Sequence, residues 1–170
     1  MNNYIYIIAG LPDFTPDWRQ GDKSLDDYFE QIKPVQIKKA PRPFCSAKIG
    51  ELDLKIFRTK HLFASTNNWK NSYYSVGVLI DNRVLFTGDS KSDPELINWI
   101  SSEYKLDAIF HDCQFGYNAV HAQYSELKDT IPEELKSKTL LCHYNDGSEN
   151  TDVKKDGFAG LVRRGVYYEF

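Results

Sequence analysis

The sequence predicts an α/β domain. Three observations carry this reading: an apolar rhythm from Ser75 onward that alternates strand and helix in the order β-β-α-β-α-β-β, a hairpin signature at its start, and polar metal-binding side chains at the ends of apolar strands. The length of 170 residues fits a single domain over 1–170.

Elements can be assigned in chain order. Residues 3–9 read as a strand. Residues 10–23 contain Pro12, Pro16 and Gly21 and read as loop. Ser24 can cap a short helix whose inner face is Leu25, Tyr28, Phe29 and Ile32, stopped by Pro34. Residues 35–48 contain Pro41 and Pro43 and read as extended or irregular.

From Gly50 the pattern sharpens. Leu52, Leu54 and Ile56 alternate with Glu51, Asp53 and Lys55, a half-buried strand that runs on to His61. The runs SVGVLI and RVLF flank Asp81-Asn82 and predict a β-hairpin, with Thr87-Gly88-Asp89-Ser90 after it. Ser92-Asp93-Pro94-Glu95 has capping-box form and opens a helix that turns Leu96, Ile97 and Ile100 inward. LDAIF is a buried strand ending at His111-Asp112. HAQYSELKD is a second helix, TLLC a strand ending at His143, and GVYYEF a last strand.

Composition excludes several classes. Hydrophobic residues make up 41% and charged residues 26%, as in an ordinary globular protein, and the aromatic share of 14% can build a sizeable core or an aromatic-walled site. A net charge of −3 argues against a broad basic surface for long nucleic acids. No long apolar run predicts a membrane span, and MNNYIYIIAG lacks the basic region of a signal peptide. The expected location is the cytoplasm, with Cys45, Cys113 and Cys142 reduced.

The chemistry lies at strand ends. His61, Asp89, His111 with Asp112, and His143 each close an apolar strand, where a rigid strand aims a side chain into a shared crevice. His61, Asp89 and His143 offer two imidazoles and one carboxylate, a set suited to zinc or to manganese and iron. Gly88 lets the chain turn tightly so that Asp89 points into the site. A structural zinc held by His111, Cys113 and Cys142 is a competing reading. A non-haem iron site is another, though its ligands usually lie closer together in sequence. Trp69, Tyr73 and Tyr74 either stack on a base or pack within their loop.

These residues resemble a known superfamily. Thr87-Gly88-Asp89-Ser90 after a hairpin is similar to the TGDT-type motif of the metallo-β-lactamase superfamily. His61 resembles its preceding metal-binding histidine, and His143 its final one. The segment HDCQ...VHAQYSEL, with His121, and the closing GFAGLVRRGVYYEF resemble the phosphodiesterase branch. That branch includes the tRNA 3′-end processing nucleases and the anti-Pycsar cyclic-nucleotide phosphodiesterases. The resemblance covers residues 50–170 well and 1–49 loosely. It implies a metallo-β-lactamase-like αββα sandwich lacking its N-terminal strands.

The resemblance also implies a mechanism. His61 binds a first divalent metal, zinc or alternatively manganese, Asp89 bridges two ions in a complete site, and His143 binds the second. A metal-activated hydroxide attacks a phosphodiester, with a nucleotide or cyclic nucleotide as substrate. His121 acts as acid or electrostatic stabiliser, and Asp89 shares the catalytic work.

The superfamily's HxHxDH signature has no counterpart among the four histidines. A truncated product, a split protein and a degenerate homologue are the readings this leaves. The first two predict a homo-oligomer or a complementing N-terminal segment, since an incomplete sandwich exposes an apolar face or a sheet edge. The alternative function is a module of this fold that binds a partner or nucleotide without catalysis.

Overall fold

The structure is a computed structural model that describes residues 4–7, 33–36, 42, 44–61, 69–73 and 75–170. Strands β1 (Tyr4–Ile7) and β2 (Lys33–Gln36) form an antiparallel ribbon. The expected helix from Ser24 lies outside the described residues.

The main sheet has seven strands in sequence order: β3 (Phe44–Ile49), β4 (Leu52–Arg58), β5 (Val76–Ile80), β6 (Val84–Phe86), β7 (Ala108–Asp112), β8 (Thr139–Cys142) and β9 (Gly160–Leu161). Strands β3 to β6 pair antiparallel, and β6 to β9 pair parallel. The predicted hairpin is present. The register pairs Ile80 with Val84, so three residues, Asp81 to Arg83, join the strands where two were expected; Asp81 and Asn82 take positive φ, 49° and 58°, and Arg83 N donates to Ile80 O at 3.0 Å to close the turn.

One sheet face builds the core. Phe57, Leu79, Leu85, Ile109 and Leu141 share that face by register and are almost fully buried. Helix α1 (Pro94–Glu103) lays Leu96, Ile97 and Ile100 against them at the predicted helical spacing. Each such side chain contributes about 1.5–3 kcal/mol by leaving water. Gly77 stands opposite Phe57, where an added Cβ would lie 2.6 Å from the ring, so glycine here makes room for the phenyl group.

The start of α1 differs from expectation. Its N-cap is Asp93, whose carboxylate accepts from Leu96 N, with Pro94 in the first turn. Ser92 is drawn away by a hydroxyl–hydroxyl hydrogen bond of 2.6 Å to Thr130. A capping box occurs instead at α2 (Tyr124–Thr130), between Gln123 and Glu126. A short helix α3 (Glu133–Lys136) follows.

The end of the chain corrects the reading of GVYYEF as a strand. The last strand is β9, and residues 165–170 carry no ladder. Gly165 takes φ 78°, which turns the chain, and the Tyr168 and Phe170 rings then pack edge-on against Phe110.

The α/β class is therefore what the described residues show. An αββα sandwich needs two facing sheets, and the described residues form one seven-stranded mixed sheet and a two-stranded ribbon. No described helix is long and apolar enough to cross a membrane. The parallel part of the sheet matters most for function: the carboxyl ends of β6, β7 and β8 lie side by side, and ligand sites of α/β sheets gather there.

Candidate metal centre

Three chain segments deliver donors to that edge. After β6 the chain passes Gly88 in the left-handed conformation, φ 62°. Any side chain at this position would collide with the Val76 carbonyl oxygen, 2.2 Å from the ideal Cβ, so only glycine lets the turn pass so close to β5. Asp89 follows. Its carbonyl accepts from Ser75 Oγ at 2.7 Å and Thr59 Oγ1 at 3.3 Å, which ties the turn to the neighbouring strands and leaves the carboxylate half-exposed.

Asp112 closes β7 and is buried, with its side chain 1% exposed. The loop after β6 wraps it. Asp112 N donates to Thr87 Oγ1 at 3.1 Å, and Ser90 N donates to Asp112 Oδ2 at 2.7 Å. The same carboxylate meets two histidines: His121 Nδ1 at 2.6 Å from Oδ2 and His143 Nδ1 at 3.2 Å from Oδ1.

His143 follows β8 in a conformation unusual for a non-glycine residue, φ 59°. Its carbonyl accepts from the Gln114 side-chain amide, which holds the strained turn, and its Nδ1 lies 3.4 Å from Asp89 Oδ1. His121 precedes α2 by three residues. Asn118 Oδ1 accepts from both Val120 N and His121 N, and Ala122 N donates to Ser90 O at 2.8 Å. These bonds fold the approach to α2 back onto the Asp89 loop.

Asp89, Asp112, His121 and His143 thus form one group whose donor atoms all lie within 4.8 Å of one another. His61 flanks it. Its ring centroid is 4.9 Å from that of His121, which is 4.8 Å from that of His143, but His61 contributes no donor to the four-membered group. Among the sequence candidates the structure therefore brings together Asp89, His121 and His143, and sets His61 beside them.

Asp112 is the residue that the sequence reading left out of the set. Its position beside His111 at a strand end was visible, but nothing in the sequence shows which of the two turns toward the site. The structure turns Asp112. His111 is buried, and burial pushes its imidazole pKa below the ordinary value; its Nδ1 donates to the Asp112 carbonyl at 2.7 Å. Among the described residues, His111, Cys113 and Cys142 form no such donor group. Burial raises both thiols to about 12, so they remain protonated.

The donor set fits a divalent cation. Two carboxylates whose oxygens lie this close, one of them withdrawn from water, repel each other and lose hydration. A cation among them removes both penalties. Two carboxylates and two imidazoles suit zinc or manganese better than calcium or a soft metal.

The profile of a known family, described as Anti-Pycsar protein Apyc1, matches residues 15–168. This chain belongs to that family. It is 28% identical over 151 residues to the anti-Pycsar protein Apyc1 of Bacillus phage 010DV004, covering 87% of this chain and 52% of that protein. It is 30% identical over 136 residues to the Apyc1 of Bacillus phage BSP38, covering 78% and 48%. The Apyc1 of Paenibacillus sp. (strain J14) is 31% identical over 128 residues, covering 75% and 46%. The chain spans about half the length of the curated relatives it matches.

In this Apyc1-family chain a buried ionic network supports the site from behind. Arg42 Nη1 and Lys60 Nζ reach the Asp93 carboxylate at 2.6 and 3.4 Å. Lys91 N donates to Lys60 O at 2.6 Å, linking the residue before His61 to the segment that follows Asp89. The network therefore joins β4, the Asp89 loop and the start of α1.

Proposed function

We propose that this chain carries the metal centre of a metallo-β-lactamase-like hydrolase that cleaves a phosphodiester in a nucleotide, with a cyclic nucleotide as the leading substrate. The observation that carries the proposal is the convergence of Asp89, Asp112, His121 and His143 at the carboxyl ends of three parallel strands. Membership of the Apyc1 family supports the choice of a cyclic nucleotide.

Asp89, Asp112 and His143 hold a divalent cation, with His61 alongside. When bound, such an ion supplies Lewis acidity toward a phosphoryl oxygen and lowers the pKa of water. Asp112 fixes the His121 ring through Nδ1, which leaves Nε2 as the second proton site. His121 so held donates a proton to the leaving oxygen or stabilises charge on a phosphate oxygen. The half-exposed Asp89 and His143 form the open side by which substrate reaches the group.

A second reading is favoured by the donor count. Four clustered donors suit one ion better than two, which fits a module that binds a nucleotide without turning it over. Metal analysis of the purified protein, paired with hydrolysis of a panel of 3′,5′-cyclic nucleotides, separates the two. The hydrolase reading expects at least one ion per chain and turnover that disappears in His143→Ala. Less than one ion per chain, with turnover absent or indifferent to His143→Ala, would sink it.

A further inference from the structure

We propose that Gln114 is a positioning residue of the donor group: its side-chain amide sets where the His143 ring stands and ties that placement to the segment that carries His121. This rests on the metal-centre reading above and extends it to the residue that holds the centre's geometry. His143 Nδ1 lies 3.2 Å from Asp112 Oδ1 and 3.4 Å from Asp89 Oδ1, so one ring reaches both carboxylates. A small rotation of its backbone changes both separations together. Yet its φ of 59° is one that residues with a side chain seldom adopt, and such a conformation persists only where the surrounding bonds enforce it.

Gln114 supplies that hold from the loop after β7. Its Nε2 donates to the His143 carbonyl, at the peptide that leaves the left-handed residue. Its own backbone is fixed on the other side. Gln114 N donates to Ala122 O at 2.7 Å, and Gln114 O accepts from Tyr124 N at 2.9 Å, in a parallel bridge to Gln123. The stem of the side chain is therefore anchored, and the amide is aimed at little further cost in ordering. The two neighbours repeat the link to the end of β8. Cys113 N donates to Cys142 O at 2.9 Å, and Phe115 N donates to Asn145 Oδ1 at 3.0 Å. Residues 113–115 thus strap the His143 turn to residues 122–124, which directly follow His121. The bond to His143 is made by a side chain of the strap, so a substitution removes it and leaves the backbone links in place. Groups that orient metal ligands in this way govern affinity without touching the ion.

The test uses Gln114→Met, which keeps the side-chain length and removes the donor, with Gln114→Leu as a second apolar replacement. Affinity for Co²⁺ is measured by chelator competition in the otherwise wild-type chain and in His143→Ala. Loss of the amide is expected to weaken Co²⁺ about 10- to 100-fold in the first and to change the visible absorption of the bound ion. In His143→Ala the same substitution is expected to change affinity less than about twofold, because the effect runs through His143. A merely structural role would weaken both backgrounds equally; that result, or no loss in either, would overturn the proposal. The His143 ring resonance in the metal-free protein is a second readout. It is expected to shift in both Gln114 variants, and an unmoved resonance would overturn the positioning role whatever the metal does. A shifted resonance in a wild type that binds no Co²⁺ removes the metal-centre reading and leaves the positioning role standing.

Discussion

The Nδ1 atom of His121 lies 2.6 Å from Oδ2 of Asp112, although nine residues separate them and Asp112 is buried while His121 is only partly so. One carboxylate thus orients an imidazole and takes part in the donor group, so its loss removes two functions at once. Asp112→Asn keeps the shape but not the charge, and is expected to weaken divalent-metal affinity about 10- to 100-fold, read by chelator competition. Unchanged affinity would exclude Asp112 from the centre.

Gly88 makes a separate demand. Gly88→Ala forces a left-handed backbone at about 1–3 kcal/mol and adds an overlap with the Val76 carbonyl. The expected result is a lowered urea midpoint together with weakened metal binding, because Asp89 is displaced with the turn. Gly50 also has positive φ, 61°, but nothing stands within 4 Å of its Cβ position, so Gly50→Ala is the control and should lose only the backbone part.

Asp93 serves two buried cations and caps α1. Asp93→Asn leaves Arg42 and Lys60 without their counter-charge and is expected to cost about 3–5 kcal/mol in denaturant unfolding. Arg42→Met leaves the Lys60–Asp93 pair intact and should cost clearly less. The reverse order would contradict the arrangement.

Burial holds the thiols of Cys113 and Cys142 at about 12, against an ordinary value of 9.0. In the window from 9 to 12 the folded chain keeps protons that the unfolded chain has lost, so stability falls as pH rises through it and is unaffected below it. Native protein at pH 8 is expected to resist iodoacetamide at both positions, whereas urea-unfolded protein reacts quickly. Peptide mapping by mass spectrometry reads both; rapid native labelling of Cys113 would refute its burial, and of half-buried Cys142 the raised value of its thiol.

Much of the fold was legible because it depends on local patterns. Alternation found β4, Asp81-Asn82 found the hairpin, and the spacing of Leu96, Ile97 and Ile100 found the inner face of α1. The last strand was misplaced because alternating aromatics in GVYYEF look like a ladder, whereas Gly160 and Leu161 are too few to give a period. In the site, Asp89 and His143 stood out as polar groups at apolar boundaries, and His121 through the resemblance to the phosphodiesterase branch. Asp112 stood at such a boundary too, but choosing between it and His111 depends on which sheet face the helices cover, a fact distant from both in sequence. The place of His61 beside the group, rather than within it, likewise depends on how β4 meets the loop after β6.

The parallel edge has a consequence for how the chain survives in a cell. Asp89, Asp112 and His143 lie together only when β6, β7 and β8 are in register, so an unfolded chain has no comparable grip on an ion. An ion held there acts as a ligand of the native state alone, and at a free concentration a hundredfold above its dissociation constant adds about 2.7 kcal/mol to the unfolding free energy. Metal supply would then set the chain's resistance to proteolysis, and depletion would shorten its lifetime before any assay of turnover registered the loss.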